Sequence, residues 1–298
     1  TRCTIAEAQG QGGDKRQIFP LKVARSLAAQ LVMAVAYVHD MGYVHGDLHM
    51  DNVLLQLPST FHDLSLDRFY GEFGPPEPQP VSRIDGKELP LYAMAWLGKR
   101  APDFTLDEAQ LLLSDLGVAF RPAENPRFES YTPFMTGPPE ARFDPTTPLT
   151  FASDIWSLAL GIWTIMGWNT LLSSFLFGIN DTTRDLIDTL GPLPPEWWEK
   201  CEPLPQWFTK DGRPKEGREV YTLDRQFMRC IQDPRRKGGM EVFGEEERTA
   251  FCDMIRGMLA YRPGERLSAK HVLESAWMRD WAMPDYEEAM RLHGQGTD

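Results

Sequence analysis

Cysteine is scarce in this chain and carries no pattern. Cys3, Cys201, Cys230 and Cys252 are the four, and no two stand in C-x-x-C spacing. That removes the ligand arrangement of a structural zinc site and the framework of a disulfide-stapled domain. A reducing compartment, cytoplasmic or nuclear, is the expected setting. Positive charge is also in deficit: 31 basic against 43 acidic side chains leave a net charge of −12. A general nucleic-acid or anionic-membrane binder needs the opposite balance, so the partner that the charge admits is a basic one. A monomer without direct contact to nucleic acid or membrane is the expectation. No secretory leader is visible, and the chain starts at Thr1 instead of a methionine, as a fragment or processed form would.

What is present is an ordinary globular composition, 42% hydrophobic and 25% charged, in a chain of 298 residues that can bury a full core. Residues 1–19 read as a loose, polar entry segment. Within it, Gly10-Gln11-Gly12-Gly13 and Lys15 have neither phosphate-loop spacing nor a preceding strand, and read as a loop. From Leu21 to His39, Val23, Leu27, Leu31, Val35 and Val38 recur at intervals of three and four, which predicts an amphipathic helix. Pro20 suits its start and Gly42 its end. After it comes Tyr43-Val44-His45-Gly46-Asp47-Leu48-His49-Met50-Asp51-Asn52, and then an apolar strand over Val53–Leu57. Asp47 and Asn52, five residues apart on a turn, suit a base facing a hydroxyl and an amide oxygen facing a metal at one phosphate.

Proline and charge dominate residues 58–108, an irregular insertion with one short helix near Leu64–Tyr70. Ala109–Leu113 reads as a second strand leading to Asp115-Leu116-Gly117, and a hairpin between the two strands brings Asp115 beside the Asp47–Asn52 turn. Ile155–Asn180 contains no Asp, Glu, Lys or Arg, enough to span a bilayer by length. Asp154, Asn169, Gly161, Gly167 and the lack of a flanking basic cluster favour a buried central helix instead. A second insert covers about 184–243, where Trp197 and Trp198 read as core or loop anchors. Helices are expected over Glu245–Leu259 and Ser268–Met278, with Ser268 as N-cap, and residues 283–298 read as a frayed polar tail.

The segment His45-Gly46-Asp47-Leu48-His49-x-x-Asn52 resembles the catalytic loop H-R-D-L-K-x-x-N of protein kinases, with Gly46 for the arginine and His49 for the lysine. The same wording occurs in aminoglycoside and choline kinases. Four further motifs follow in protein-kinase order: Asp115-Leu116-Gly117 is similar to D-F-G, Pro138-Pro139-Glu140 to A-P-E, Asp154-Ile155-Trp156-Ser157 to D-x-W-S, and Arg262-Pro263-Gly264-Glu265-Arg266 to R-P-x-x-R. The resemblance covers residues 20–282 and is strongest to the SR-protein-specific kinases of the CMGC group.

It implies a protein-kinase-like α+β fold: a mainly α-helical C-terminal lobe with short β-hairpins around the catalytic loop and the D-L-G motif. The implied activity is ATP-dependent transfer of phosphate to protein serine or threonine, with Arg/Ser-rich substrates. ATP and Mg²⁺ are the implied cofactors, with Asn52 and Asp115 holding the metal and nucleotide. Asp47 would be the base, and His49 would stand where the family's lysine meets the γ-phosphate. His45, Gly117, Glu140, Asp154 and Arg266 would be structural, Glu140 pairing with Arg266 and Asp154 anchoring residues 45–47. Gly46 implies activity that does not wait for phosphorylation of the following segment, where Thr132 and Thr136 are candidate modification sites. Neither the Gly-rich loop nor the strand lysine of the small lobe is in the sequence. Weak ATP binding and no transfer by the chain as given are therefore expected, and a pseudokinase scaffold or a small-molecule phosphotransferase stand as alternatives.

Overall fold

A computed structural model describes residues 3–10, 17–56, 63–73, 75, 78–79, 93–94, 99–172, 179–201 and 204–295. The chain enters through strand β1 (Cys3–Thr4) and the one-turn helix α1 (Ile5–Ala8). Here the expected loose entry is corrected over the described residues 3–10, because Cys3, Ile5, Ala6 and Ala8 are buried. A capping box secures the turn: Thr4 N donates to Glu7 Oε2 at 2.8 Å and Glu7 N to Thr4 Oγ1 at 3.0 Å. Of the glycine-lysine run, all but Gly10 lies outside the described residues.

Helix α2 (Leu21–Asp40) follows, entered through Pro20 at φ −49° and left through Gly42 at φ +82°. A positive φ of this kind is open to glycine at no steric cost, so the chain turns sharply here toward the loop. α2 has the length and hydropathy of a membrane span, but 67% of its apolar window is buried inside the protein, the position of a core helix. Strand β2 (Val53–Leu55) runs antiparallel to β1. Within the expected insertion lie helix α3 (Leu66–Phe73), the two-residue strands β3 (Pro78–Gln79) and β4 (Ala93–Met94), paired with each other, and a 3-10 turn over Ala101–Asp103. Strand β5 (Leu111–Leu113) then pairs with β2, Val53 opposite Leu113, giving the sheet order β1-β2-β5. β5 is two residues shorter than the apolar run Ala109–Leu113 suggested, and β2 ends at Leu55. Leu57 is outside the described residues, and Gln56 N still donates to Gln110 O at 2.9 Å beyond the strand ends.

The remainder is helical: α4 (Glu140–Phe143), α5 (Phe151–Met166), α6 (Ile179–Leu190), α7 (Pro195–Trp198), α8 (Leu223–Phe227), α9 (Asp233–Lys237), α10 (Glu245–Met258), α11 (Ala269–Leu273) and α12 (Met283–Gln295). α5 is buried on every face from Ser153 to Met166 and packs on α2 and α10, with Trp163 meeting Phe227 and Phe251. Phe251 in turn packs edge-on against Trp277 at 5.1 Å and beside Phe243 at 5.5 Å. Proline shapes the helices on this side. A π-turn over Met228–Gln232 joins α8 to α9, and Pro234, lacking an N–H, leaves the Cys230 carbonyl for Trp168 N at 2.8 Å. Arg235, wholly buried, donates to the carbonyls of Met166 and Phe19 and so caps the end of α5. Burial and the nearby Arg25 push its pKa down to about 10.

The expected frayed tail is a second correction. Residues 283–295 form α12, which lies along α2. Arg25 of α2 is clamped between Glu247 of α10 (2.6 Å) and Asp285 of α12 (3.1 Å), and Lys22 reaches Glu288 at 2.7 Å. Burial raises the Asp285 carboxyl above its ordinary range although Arg25 pulls it down. Truncating the aromatic node between α5, α8, α10 and the last helices has a large expected effect. Phe251→Ala should cost about 3–5 kcal/mol in chemical denaturation, and a loss below about 1 kcal/mol would show that the node is not the core.

Candidate functional site

The turn between α2 and β2 is held from beneath by one buried side chain. Asp154, in the first turn of α5, accepts from His45 N at 2.7 Å and Gly46 N at 3.0 Å, and His39 Nε2 lies 2.9 Å from its Oδ2. Three donors on one buried carboxylate offset the cost of removing it from water. Gly46 sits at φ +80°, and a Cβ there would come 3.3 Å from Val118 O and 3.5 Å from the Phe120 ring, so the position has neither the backbone freedom nor the room for a side chain. His45 is wholly buried. Its Nε2 faces Ser114 O at 3.0 Å, which can only accept, and its Nδ1 accepts from Asp47 N at 3.3 Å. Those partners fix the tautomer with the proton on Nε2.

Asp47 and Asn52 are joined directly. Asn52 Nδ2 donates to Asp47 O at 2.9 Å and reaches Asp47 Oδ2 at 3.5 Å, while Asn52 O accepts from Ser114 N and Ser114 Oγ, both at 2.9 Å. The β2–β5 hairpin thereby sets Asp115, the next residue, at the same end of the sheet. His49 lies between two carboxylates, Nε2 3.6 Å from Asp47 Oδ1 and Nδ1 3.4 Å from Asp51 Oδ2. Asp47 Oδ1 is buried and has no hydrogen-bond partner. An unmatched buried acceptor is costly, and here it points to a donor brought by a ligand.

Asp115 is exposed and adopts φ 61°, ψ 61°; it is the described residue other than glycine with a positive φ. Such a conformation costs on the order of 1 kcal/mol or more and collects at functional sites. A Cβ on Gly117 would come 3.3 Å from Asp115 Oδ1, so glycine keeps the space beside that carboxylate open. No group of three or more His, Cys, Asp or Glu among the described residues could close around a metal. Mg²⁺ bound with phosphates needs only one or two protein oxygens. The Asn52 nitrogen is committed to Asp47, which leaves its Oδ1 for a cation, and the exposed Asp115 carboxylate at the same end of the sheet is a second oxygen of the kind Mg²⁺ takes.

Beyond the loop, the segment 115–140 ends on a buried ion pair. Arg266 donates to Glu140 Oε1 at 2.8 Å and Oε2 at 2.6 Å, and also to the carbonyls of Ala152, Ala260 and Tyr261. Its guanidinium covers the Trp156 ring at 5.0 Å. Phe143 of α4 stacks on Trp197 at 5.5 Å, and Trp198 Nε1 donates to Lys210 O, so this tryptophan pair serves as core and loop anchor. A cavity of about 440 Å³ opens along the segment's end, walled by Phe134, Met135, Pro139, Phe143, Trp156 and Leu186. It does not reach Asp47. Sequence reasoning passed over His39 and Ser114. His39 meets Asp154 only through the tertiary fold, 115 positions away, and nothing local marks it. Removing the Glu140 carboxylate leaves the Arg266 charge buried, so Glu140→Ala should cost about 3–5 kcal/mol by denaturation. A loss under about 1 kcal/mol would show that the pair does not hold the segment.

No family model matches the chain. Over 276 residues it is 22% identical to the serine/threonine-protein kinase AFC3 of Arabidopsis thaliana, an alignment covering 89% of this chain and 59% of that protein. The chain thus spans less than two thirds of the length of that relative. A crystal structure of a kinase domain matches with a TM-score of 0.56 at 16% identity, over 93% of this chain and 70% of the other. With its helical body and small antiparallel sheet beside the Asp47–Asn52 turn, the chain has a protein-kinase-like α+β fold, seen in its helical lobe.

Proposed function

We propose that the chain carries the large-lobe part of protein serine/threonine kinase chemistry, transfer of the γ-phosphoryl group of ATP to a hydroxyl of a protein, which also needs a lobe bearing the Gly-rich loop and strand lysine. The observation that carries this reading is the convergence of Asp47, Asn52 and Asp115 at one end of the β2–β5 hairpin, with a buried Asp47 oxygen left unmatched. In this reading Asp47 orients the acceptor hydroxyl and takes its proton as the oxygen attacks. Asn52 Oδ1 and the Asp115 carboxylate hold Mg²⁺, which when bound offsets the phosphate charge. His49, placed between Asp47 and Asp51, would face the transferring phosphate in the lysine's stead. Glu140–Arg266 and Asp154 do no chemistry and keep the loop and segment in register.

A basic, Arg/Ser-rich protein substrate agrees with the net charge of −12. A pseudokinase scaffold is the second reading, favoured by the absent small-lobe motifs and by Gly46 and His49 standing where the kinase pattern has arginine and lysine. Transfer of label from ATP to serine-containing peptides, Arg/Ser-rich ones included, by this chain joined to such a nucleotide-gripping lobe separates the two. The kinase reading expects Mg²⁺-dependent transfer that Asp47→Asn lowers by about 10²- to 10⁴-fold and that EDTA abolishes. Transfer unchanged in Asp47→Asn contradicts it, and absence of transfer with every peptide leaves the scaffold.

A further inference from the structure

Two arginines punctuate the first half of the segment between Asp115 and Glu140, and they are engaged differently. Arg121 pairs with Glu124 at 2.9 Å and lies over the Tyr43 ring. The guanidinium of Arg127 meets no carboxylate among the described residues. It donates from Nη1 to Val118 O at 2.6 Å and covers the rings of Phe120 at 5.0 Å and Tyr131 at 5.5 Å. Its own carbonyl accepts from Leu149 N at 2.6 Å.

The groups that Arg127 grips are those by which the segment touches the Asp47 loop. Phe120 and Val44 exchange two backbone hydrogen bonds, of 2.8 and 3.0 Å, and share a small apolar cluster with Leu149. Val118 O and the Phe120 ring are also what a Cβ on Gly46 would strike. Gly46 therefore packs on one side of that carbonyl and ring, and Arg127 holds them from within the segment. Farther on, Thr132, adjacent to the Tyr131 ring under Arg127, donates from Oγ1 to Gly46 O at 3.4 Å. Both arms of the segment, at 118–120 and at 131–132, thus reach Gly46 and also meet Arg127.

We infer that Arg127 is a positioning residue: it ties the two arms of the 118–132 loop together and fastens the loop to Gly46 and the Asp47 turn, with no added phosphoryl group taking part. Arginine suits this task because its flat guanidinium stacks on two rings while an edge N–H stays directed at a carbonyl. Its charge is already matched to that carbonyl and to the π faces, so it does not stand as an open anion site. The tie is a property of the fold and holds whether or not the chain transfers phosphate, so its test is independent of nucleotide.

Hydrogen exchange by mass spectrometry on the whole chain tests it, comparing wild type with Arg127→Ala and Arg127→Lys. In Arg127→Ala, amides within 116–136 should exchange about tenfold faster or more, with new chymotryptic cleavage after Phe128 or Tyr131. Amides of α2, α5 and α10 should keep their rates. Arg127→Lys, whose ammonium can still reach Val118 O but cannot lie flat on the rings, should regain part of the protection. Millimolar inorganic phosphate should leave wild-type exchange unchanged. Exchange in Arg127→Ala within about twofold of wild type across 116–136 would overturn the inference. So would acceleration spread evenly over the chain with no recovery in Arg127→Lys, or protection of 116–136 by phosphate, which would mark an open anion site. Should Arg127→Ala not fold, Arg127→Lys decides alone: a loss confined to 116–136 supports the tie, and none overturns it.

Discussion

The Asp154 carboxylate ties the end of α2 and the loop that follows it to a helix more than a hundred residues farther along the chain. It belongs to α5, it accepts the backbone N–H groups of His45 and Gly46, and it meets His39 at the end of α2. Because α5 is buried almost completely and packs along α2, the anchor beneath the turn is as rigid as the core itself. Packing on the same helix reaches the loop a second time. A Cβ on Gly161 would meet Met50 Cε at 2.6 Å, so the missing side chain makes room for the residue between His49 and Asp51. A catalytic-type loop has few bonds of its own, and here its shape is borrowed from the helices below.

From that anchor the order propagates outward through the sheet. His45 reaches Ser114 across the hairpin, Ser114 returns to Asn52, and Asn52 closes on Asp47. The chain of bonds stops at two groups, the buried Asp47 Oδ1, which makes no hydrogen bond among the described residues, and the strained, exposed Asp115. The segment after Asp115 is tied at both ends, near Gly46 by Val118, Phe120 and Thr132, and at α4 by Glu140 and Arg266.

Local pattern made much of this legible. The three-and-four spacing of Val23, Leu27, Leu31 and Val35 marks the buried face of α2, and Pro20 and Gly42 mark its ends. Ser268 caps α11 through His271 N, as its position before an apolar run suggested. Entry and tail were misread for opposite reasons. Thr4 and Glu7 carry a capping-box signal at the spacing the motif requires, within a stretch whose polar residues and glycines suggest a loop. Met283–Gln295 reads as polar because its stabilising contacts, Arg25 with Asp285 and Lys22 with Glu288, are more than 250 residues apart in sequence. The same limit hid His39, Ser114 and Arg127, whose partners are set by tertiary packing or by the path of a loop rather than by periodicity.

The central claim, that Asp115 and Asn52 hold the metal for phosphoryl transfer at Asp47, is tested most directly by the metal dependence of the reaction. Single-turnover transfer from ATP to a serine peptide, measured with the nucleotide-gripping small lobe supplied and followed against Mg²⁺ concentration in wild type and Asp115→Asn, separates a metal ligand from a structural residue. The account predicts a Mg²⁺ midpoint raised about tenfold or more in Asp115→Asn, with the melting temperature unchanged. An identical Mg²⁺ dependence in the two proteins would contradict it.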